Sequence, residues 1–283
     1  MNGPHVIDSC EDPRVEIFRE VRDRDLRGRR GVFMAESEMV VRRLLERPGQ
    51  LHSLLLSPAK YERLLGAMGD LPAEVGVFVA KLDVMEQIAG FHIHRGVLAA
   101  GWRPSEQDLV FDRLLERTPK GGGWLILAAA GINNSDNMGG LFRTAAAFGV
   151  DEMLLGDSCC DPLYRKAIRV SMGHVLRVPW VVHHDLSEAL TRLRAEHGFR
   201  VVAAETGDGA RPLGSCTFGA RTIVVVGAEG HGLDRAVLDA SDDIVEIPMA
   251  QGVPSLNVVV AAGIVLHGVV SSSGSRNSGA RRG

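Results

Sequence analysis

The sequence is short of the features that usually assign a protein quickly. Its 283 residues include four cysteines, Cys10, Cys159, Cys160 and Cys216. No pair has C-x-x-C spacing, and the adjacent Cys159 and Cys160 make no metal knuckle, so all four read as structural or incidental. That usage suits a reducing compartment. Positive charge is not in excess either: 32 Lys and Arg face 35 Asp and Glu, for a formal net charge of -3. No global field announces a nucleic acid, so a local basic surface would have to do that work. The opening residues MNGPHVIDSCEDPR lack the apolar core of a signal peptide. The longest apolar run, residues 258–270, contains His267 and is too short to span a bilayer. A cytoplasmic protein without a membrane partner is expected. Neither a dinucleotide fingerprint nor a phosphate-binding loop occurs, which weakens a nucleotide- or NAD-dependent reading.

What is present is ordinary in bulk. Hydrophobic residues make up 45% and charged residues 24%, enough for a full core in one large or two modest domains. Residues up to about Asp12 read as a loose lead. Residues 14–30, RVEIFREVRDRDLRGRR, hold seven arginines. Ile17, Phe18, Val21 and Leu26 give this stretch a partial helical stripe, either a solvated ion-paired helix or an arginine face for phosphates. From Gly31 to about Gly101, short apolar runs alternate with helical periods, which predicts a small α/β/α domain over residues 14–101. Residues 102–123 are polar, bounded by prolines and ended by three glycines, and read as a linker in which residues 108–116 suggest a short connecting helix.

Residues 124–130 are a continuous apolar run, the mark of a strand buried on both faces. Strand-like and helical periods then alternate to about Val270, which predicts a mainly parallel sheet with helices on both faces. Residues 271–283 are small, polar and basic, with the composition of a disordered tail.

Within the second domain three strand-like runs break into glycines and amides before a helix restarts, and such strand ends are where α/β proteins build ligand sites. At the first, NNSDNMGGLFRTAAAFGV, Asn137, Met138 and Gly139 suggest an abrupt turn, with Asn137 as helix cap or ligand amide. Arg143, among small apolar residues, needs an anion or a carboxylate; a structural salt bridge is the plain alternative. The second, GAEGHGLD from Gly227, is either a tight turn or a site in which Glu229 pairs with Arg143. The third, residues 247–257, contains Pro248, Gly252 and Pro254, which forbid regular structure, so its backbone groups are free to read the edge of an adenine ring. Ser255 reads as the cap of the final helix, with Asn257 two residues on.

These stretches, NMGGLFRTA, VVGAEGHGL and IPMAQGVPSLNVVVAAG, with DPLYRKAIRVSMGHVLRVPW between the first two, resemble the motifs of the SpoU/TrmH branch of the SPOUT RNA 2′-O-ribose methyltransferases. The resemblance covers residues 124–270. It implies a parallel sheet with a deep trefoil knot, S-adenosylmethionine as cofactor, no metal, and a homodimer through the knotted domain. It implies cofactor contacts at Ala204, Glu205, Thr206, Gly227, Gly230, Ile247, Pro248, Met249, Ser255, Leu256 and Asn257. Arg143 falls on the family's catalytic arginine, with Asn137, Glu229, Ser255 and Asn257 on the other polar positions of the motifs. Arginine is a poor base, so an electrostatic role toward hydroxyl and phosphate is easier to defend than proton abstraction.

Residues 32–101 are similar to the ribosomal-protein-like domain of many such enzymes, through GVFMAESEMVVRRLLER and AGFHIHRGVLAAG. This implies RNA capture by Arg22, Arg24, Arg27, Arg29, Arg30, Arg42, Arg43, His94 and Arg95, joined by Arg143 and Arg169; buried helix and turn roles serve equally for the histidines. The expected partner is tRNA or rRNA, not DNA. Two departures stand out: Asn134-Ser135 replaces the usual Asp-Pro, and Ser37 replaces the glycine that often follows Glu36. A non-catalytic RNA-binding or ribosome-assembly protein on the same scaffold is the alternative; retention of the polar motif residues argues against it.

Overall fold

The structure is a computed structural model that describes residues 3–19, 31–69, 71–93, 96–207, 209–228 and 230–272. In chain order it runs β1 (His5–Ile7), β2 (Val32–Glu36), α1 (Glu38–Leu45), β3 (Leu51–Leu56), α2 (Pro58–Met68), β4 (Gly76–Ala80), α3 (Leu82–Ala89) and β5 (Val97–Trp102). It continues with α4 (Phe111–Arg117), β6 (Trp124–Ala129), α5 (Ser135–Ala147), β7 (Glu152–Gly156), α6 (Arg165–Val170), β8 (Trp180–His183) and α7 (Leu186–His197). The last elements are β9 (Arg200–Ala204), β10 (Arg211–Pro212), β11 (Arg221–Val226), α8 (Arg235–Asp239), β12 (Asp243–Glu246) and α9 (Val258–Ser272).

Two compact units result. The first holds the chain through Pro104 together with Pro162–Arg177; the second holds Ser105–Asp161 and the chain from Val178 onward.

The first unit is built on a five-stranded sheet in the order β1-β4-β3-β5-β2. β1, β4 and β3 are parallel, and β5 runs antiparallel to both β3 and β2. Its core gathers Ile7, Val15, Phe18, Met34, Leu55, Met85 and Leu98. The expected loose lead is therefore partly structural. His5, Val6 and Ile7 pair with Phe78, Val79 and Ala80, and Ile7 is buried. Three residues are too few to show a period of two in the sequence.

Of the stretch expected as a helix, residues 14–30, the structure describes residues 14–19, and these are not α-helical. Pro13–Phe18 is a 3-10 turn capped by Asp12, whose side chain accepts the Arg14 amide, and the backbone is extended at Arg19. Pro13 suits the first turn of a helix, and burial of Val15 and Phe18 fixes the turn against the sheet. Arg22, Arg24, Arg27, Arg29 and Arg30 lie outside the described residues, as do His94 and Arg95.

The second unit is a seven-stranded sheet in the order β10-β12-β9-β11-β6-β7-β8, parallel at every pairing. The inner strands are buried on both faces, as their unbroken apolar runs require. The linker expected over residues 102–123 belongs in good part to this unit. Phe111 and Leu114 of α4 enter the same core as Ile126, Leu154, Val201 and Ile223. The short connecting helix suggested over residues 108–116 forms as α4, and Phe111 and Leu114, one turn apart, are what join it to this core.

The span expected as one domain, residues 124–270, is likewise interrupted. Within the first unit α6 packs on β2, and Arg165 Nε donates to Glu36 Oε1 at 2.5 Å. Among the described residues no helix is long and apolar enough to cross a membrane.

Candidate active site

β9, β11 and β12 lie side by side and in parallel, so the loops leaving them emerge along one edge of the sheet. There they enclose a cavity of about 440 Å³. The strand ends contribute Ala204, Glu205, Thr206, Gly227, Ala228, Glu246 and Ile247; Met249, Pro254, Ser255 and Leu256 close it, and Val258 and Ala261 of α9 floor it.

Glu205 fastens two of these loops. Its amide donates to Val245 O at 3.1 Å. Its carboxylate accepts the Leu233 amide at 2.8 Å and the Thr206 amide at 3.0 Å. A carboxylate taking two backbone N–H groups is a strong, charge-assisted tie. Gly227 makes the close approach possible: a Cβ placed on it would stand 2.5 Å from both C and O of Gly232.

The loop over residues 247–257 is held open by Pro248 and Pro254, and it closes one turn, the Val253 amide donating to Ala250 O at 3.2 Å. At its end, Asn257 rather than Ser255 caps α9. Asn257 Oδ1 accepts the Val259 amide at 3.0 Å, and Asn257 O accepts from the Ala261 amide at 3.0 Å. Ser255 is exposed at the cavity mouth. The amide of Asn257 outcompetes the serine because it sits next to the first helical residue, where a cap is needed.

Asn257 also reaches the first motif. Its Nδ2 donates to Asn137 Oδ1 at 3.0 Å. Asn137 is buried, and it stands inside the first turn of α5 rather than in a turn before it. Asn134, in extended conformation, takes the cap by accepting the Asp136 amide at 2.7 Å. The helix thus starts earlier than the glycine pair suggests. Gly140 serves packing instead: a Cβ there would lie 2.6 Å from Val259 Cγ2 on α9.

Arg143 lies on the exposed side of α5 and, among the described residues, has neither an ion-pair partner nor a place in the cavity wall. Glu229, expected to orient it, lies outside the described residues. Of the residues expected at the cofactor, Ala204, Glu205, Thr206, Gly227, Gly230, Ile247, Met249, Ser255 and Leu256 line the cavity, whereas Pro248 and Asn257 do not. The lining also includes His231, Gly232 and Glu246, which sequence reasoning passed over. Their signal was position: His231 and Glu246 adjoin Gly230 and Ile247, which were chosen, and Gly232 closes the same glycine stretch.

Of the arginines expected to meet RNA, Arg42 pairs with Glu38, Nη2 to Oε1 at 3.0 Å. Arg43 is partly buried, with Nη1 shielded and without a hydrogen-bond partner, and burial first, then Arg177, push its pKa down. Arg169 stands 3.8 Å from Glu36.

A cavity of this size at adjoining carboxyl ends of parallel strands, part polar and part apolar, with the acidic residues Glu205 and Glu246 in its lining, suits a nucleoside-bearing cation. Fold and site together define a cofactor-binding α/β enzyme. The SpoU rRNA Methylase family matches residues 124–267, and the chain belongs to that family: it is an RNA methyltransferase whose cofactor is S-adenosylmethionine.

An uncharacterised tRNA/rRNA methyltransferase of Mycobacterium tuberculosis is 37% identical over 277 residues, covering 94% of this chain and 92% of the relative. The 23S rRNA (guanosine-2′-O-)-methyltransferase RlmB of Acinetobacter baylyi is 31% identical over 244 residues, covering 84% and 94%. The AdoMet-bound rRNA methyltransferase of Sinorhizobium meliloti shares the fold, with a TM-score of 0.74 at 21% identity, covering 93% of this chain and 97% of that one.

Proposed function

We propose that the chain transfers the methyl group of S-adenosylmethionine to a ribose 2′-hydroxyl of tRNA or rRNA. The observation that carries this reading is the convergence of the three motif stretches. Gly227 and Leu256 share one cavity wall, and Asn257, next to Leu256, is tied to Asn137 at 3.0 Å. The 2′-O specificity in the name of the Acinetobacter baylyi relative supports the choice of acceptor.

When bound, the cofactor supplies an electrophilic methyl on a sulfonium. The protein's part is to hold donor and acceptor in line and to exclude water, which supplies much of the rate of a bimolecular displacement. The loop of residues 247–256 offers main-chain donors and acceptors to the adenine, and Glu205 and Glu246 supply negative potential toward the cation. Arg143 places a permanent positive charge toward the attacking hydroxyl and its neighbouring phosphate, which favours the alkoxide as it develops. On this reading Glu229 orients that arginine, and Asn137, Ser255 and Asn257 shape the site.

The assignment extends to the whole chain. The first unit, centred on residues 14–101, captures RNA. The segment of residues 247–257 threads a trefoil knot; strand order and the packing of α9 on α5, β9 and β11 support this. The active form is a homodimer through the second unit. Val260, 50% exposed, and Ile264, 38% exposed, stand one helical turn apart on one side of α9 and suit such a contact.

Methyl transfer from labelled cofactor to total rRNA and tRNA tests the reading, with nuclease mapping of the modified nucleotide. Arg143→Ala is expected to lower the rate by about 100-fold or more while leaving calorimetric cofactor binding unchanged. Unaltered transfer in that variant refutes the assigned role. Cofactor binding without transfer to any RNA favours a non-catalytic scaffold.

A further inference from the structure

The chain is acidic, yet its charge is unevenly placed. β2 ends at Glu36, and α1 begins at Glu38. The Glu38 carboxylate receives three cations: Arg42 Nη2 at 3.0 Å, Lys60 Nζ at 3.0 Å and Arg63 Nε at 2.9 Å. The Glu36 carboxylate receives Arg165, whose Nε donates at 2.5 Å, and has Arg169 Nη1 at 3.8 Å. All seven residues belong to the first unit, although Arg165 and Arg169 come from the segment Pro162–Arg177. The two glutamates are separated by Ser37 alone, so their Cα atoms lie within about 7 Å.

Five cations against two carboxylates leave +3 at one turn of a chain whose total is -3. One carboxylate is enough to neutralise one guanidinium. A carboxylate that gathers three cations therefore does more than complete a structural ion pair. Its own negative charge is favoured by the gathering, first by the hydrogen bond from Lys60, and its pKa is lowered. Both glutamate side chains are largely covered, at 16% and 20% exposure, while Arg63 and Arg169 remain 65% and 56% exposed. Arg63, Arg169 and, in part, Arg42 thus present charge to water, while Lys60 and Arg165 sit nearly as deep as the two carboxylates. The Arg165 guanidinium also lies 4.0 Å from the centre of the Phe91 ring, which fixes its plane.

We infer that this turn is a preorganised binding site for consecutive phosphates of the RNA backbone, with Glu36 and Glu38 holding five cations in place and the exposed Arg63 and Arg169 meeting the phosphates first. Arginine and lysine side chains lose rotamer entropy when a phosphate captures them; cations already fixed by a shared carboxylate lose less. The site reads charge and spacing, not base identity. It rests on the RNA-methyltransferase reading only for the identity of the polyanion.

The test is fluorescence anisotropy with a labelled oligo(U) strand and a labelled RNA hairpin, across a salt series, for the full chain and for Arg63→Ala, Arg169→Ala and the double variant. Removing two phosphate contacts is expected to lower the slope of log K against log salt by roughly 1.4–1.8, at about 0.7–0.9 per contact. Affinity at fixed moderate salt should fall by about 10- to 100-fold, with S-adenosylmethionine binding unchanged. A lowered melting temperature with an unchanged slope means that the cations only support the fold, and overturns the site. Wild-type affinity and slope in the double variant overturn it too, while leaving methyl transfer intact as a separate result. Failure of the wild-type chain both to bind RNA and to methylate it overturns this site and the proposed function together.

Discussion

Gly227→Ala adds one methyl group to a cavity wall, and the structure allows its effect to be worked out. The new Cβ would stand 2.5 Å from C and O of Gly232 and 2.9 Å from the Leu233 amide nitrogen, where ordinary contact begins at 3.4 Å. All three obstacles are backbone, so no side chain can swing aside. The loop bearing Gly232 and Leu233 has to retreat by about 1 Å, an overpacking cost of about 1–3 kcal/mol. That retreat pulls the Leu233 amide from Glu205, at 2.8 Å, and a charge-assisted bond of this kind contributes about 1.5–3 kcal/mol. The smaller unfolded-state entropy of alanine returns about 0.4–1 kcal/mol. A net loss of about 2–4 kcal/mol corresponds to a fall in melting temperature of roughly 5–15 °C for a unit of this size. Because the moving loop is also a cavity wall, cofactor affinity should fall at least about tenfold, or 1.4 kcal/mol. Gly66→Ala is the control. It lies on the exposed side of α2 with nothing within 4 Å of the added Cβ, so the same change should stabilise by about 0.5–1 kcal/mol. Thermal melts and calorimetric titration with S-adenosylmethionine read both. A Gly227→Ala protein with wild-type melting and affinity would refute the claim that this glycine sets the width of the cavity.

Two further outcomes follow from backbone and charge. Ser37 sits at φ 81 and ψ 144 without a side-chain capping bond, a region open essentially to glycine alone. Ser37→Gly should therefore stabilise by about 1 kcal/mol after the greater unfolded entropy of glycine is set against the relieved strain, read as a higher denaturant midpoint; an equal or lower midpoint sinks the idea. Asp243 is held below its ordinary value of 3.8, first by the hydrogen bond from Arg200 and also by Arg211. A depressed carboxylate pKa stabilises fully above the unfolded value and stops doing so as pH falls through the folded value. Asp243→Asn should lower stability at neutral pH and flatten the loss of stability below about pH 4, measured by urea unfolding at several pH values; an unchanged acid limb counts against the Arg200 and Arg211 assignment.

Much of the second sheet was legible because its signal is local. Residues 124–129 and 221–226 are unbroken apolar runs, and a strand covered on both faces has no other way to be written. The cavity was legible for a related reason: Gly227, Pro248 and Pro254 break regular structure at strand ends, and parallel strands that end together bring their breaks together. What escaped was decided by competition or by distance. Asn137 read as the cap, and only the folded helix shows that Asn134 takes the amide while Asn137 is buried and bonded to Asn257. Ser255 lost to Asn257 in the same way.

The allegiance of Pro162–Arg177 could not be read at all, because it depends on a pair between Glu36 and Arg165, 129 residues apart. Nothing in the spacing around either residue names the other. The same pair explains why net charge misled. A total of -3 was weighed against RNA binding, but a nucleic acid responds to the field at the surface it meets, within about a Debye length. Two adjacent carboxylates that collect five cations produce a strong local field in an acidic chain, and composition cannot record it. Ser37 belongs to the same argument. Its departure from glycine was visible in the sequence, but its consequence, a strained residue between the two carboxylates, follows only from the φ angle that the turn imposes.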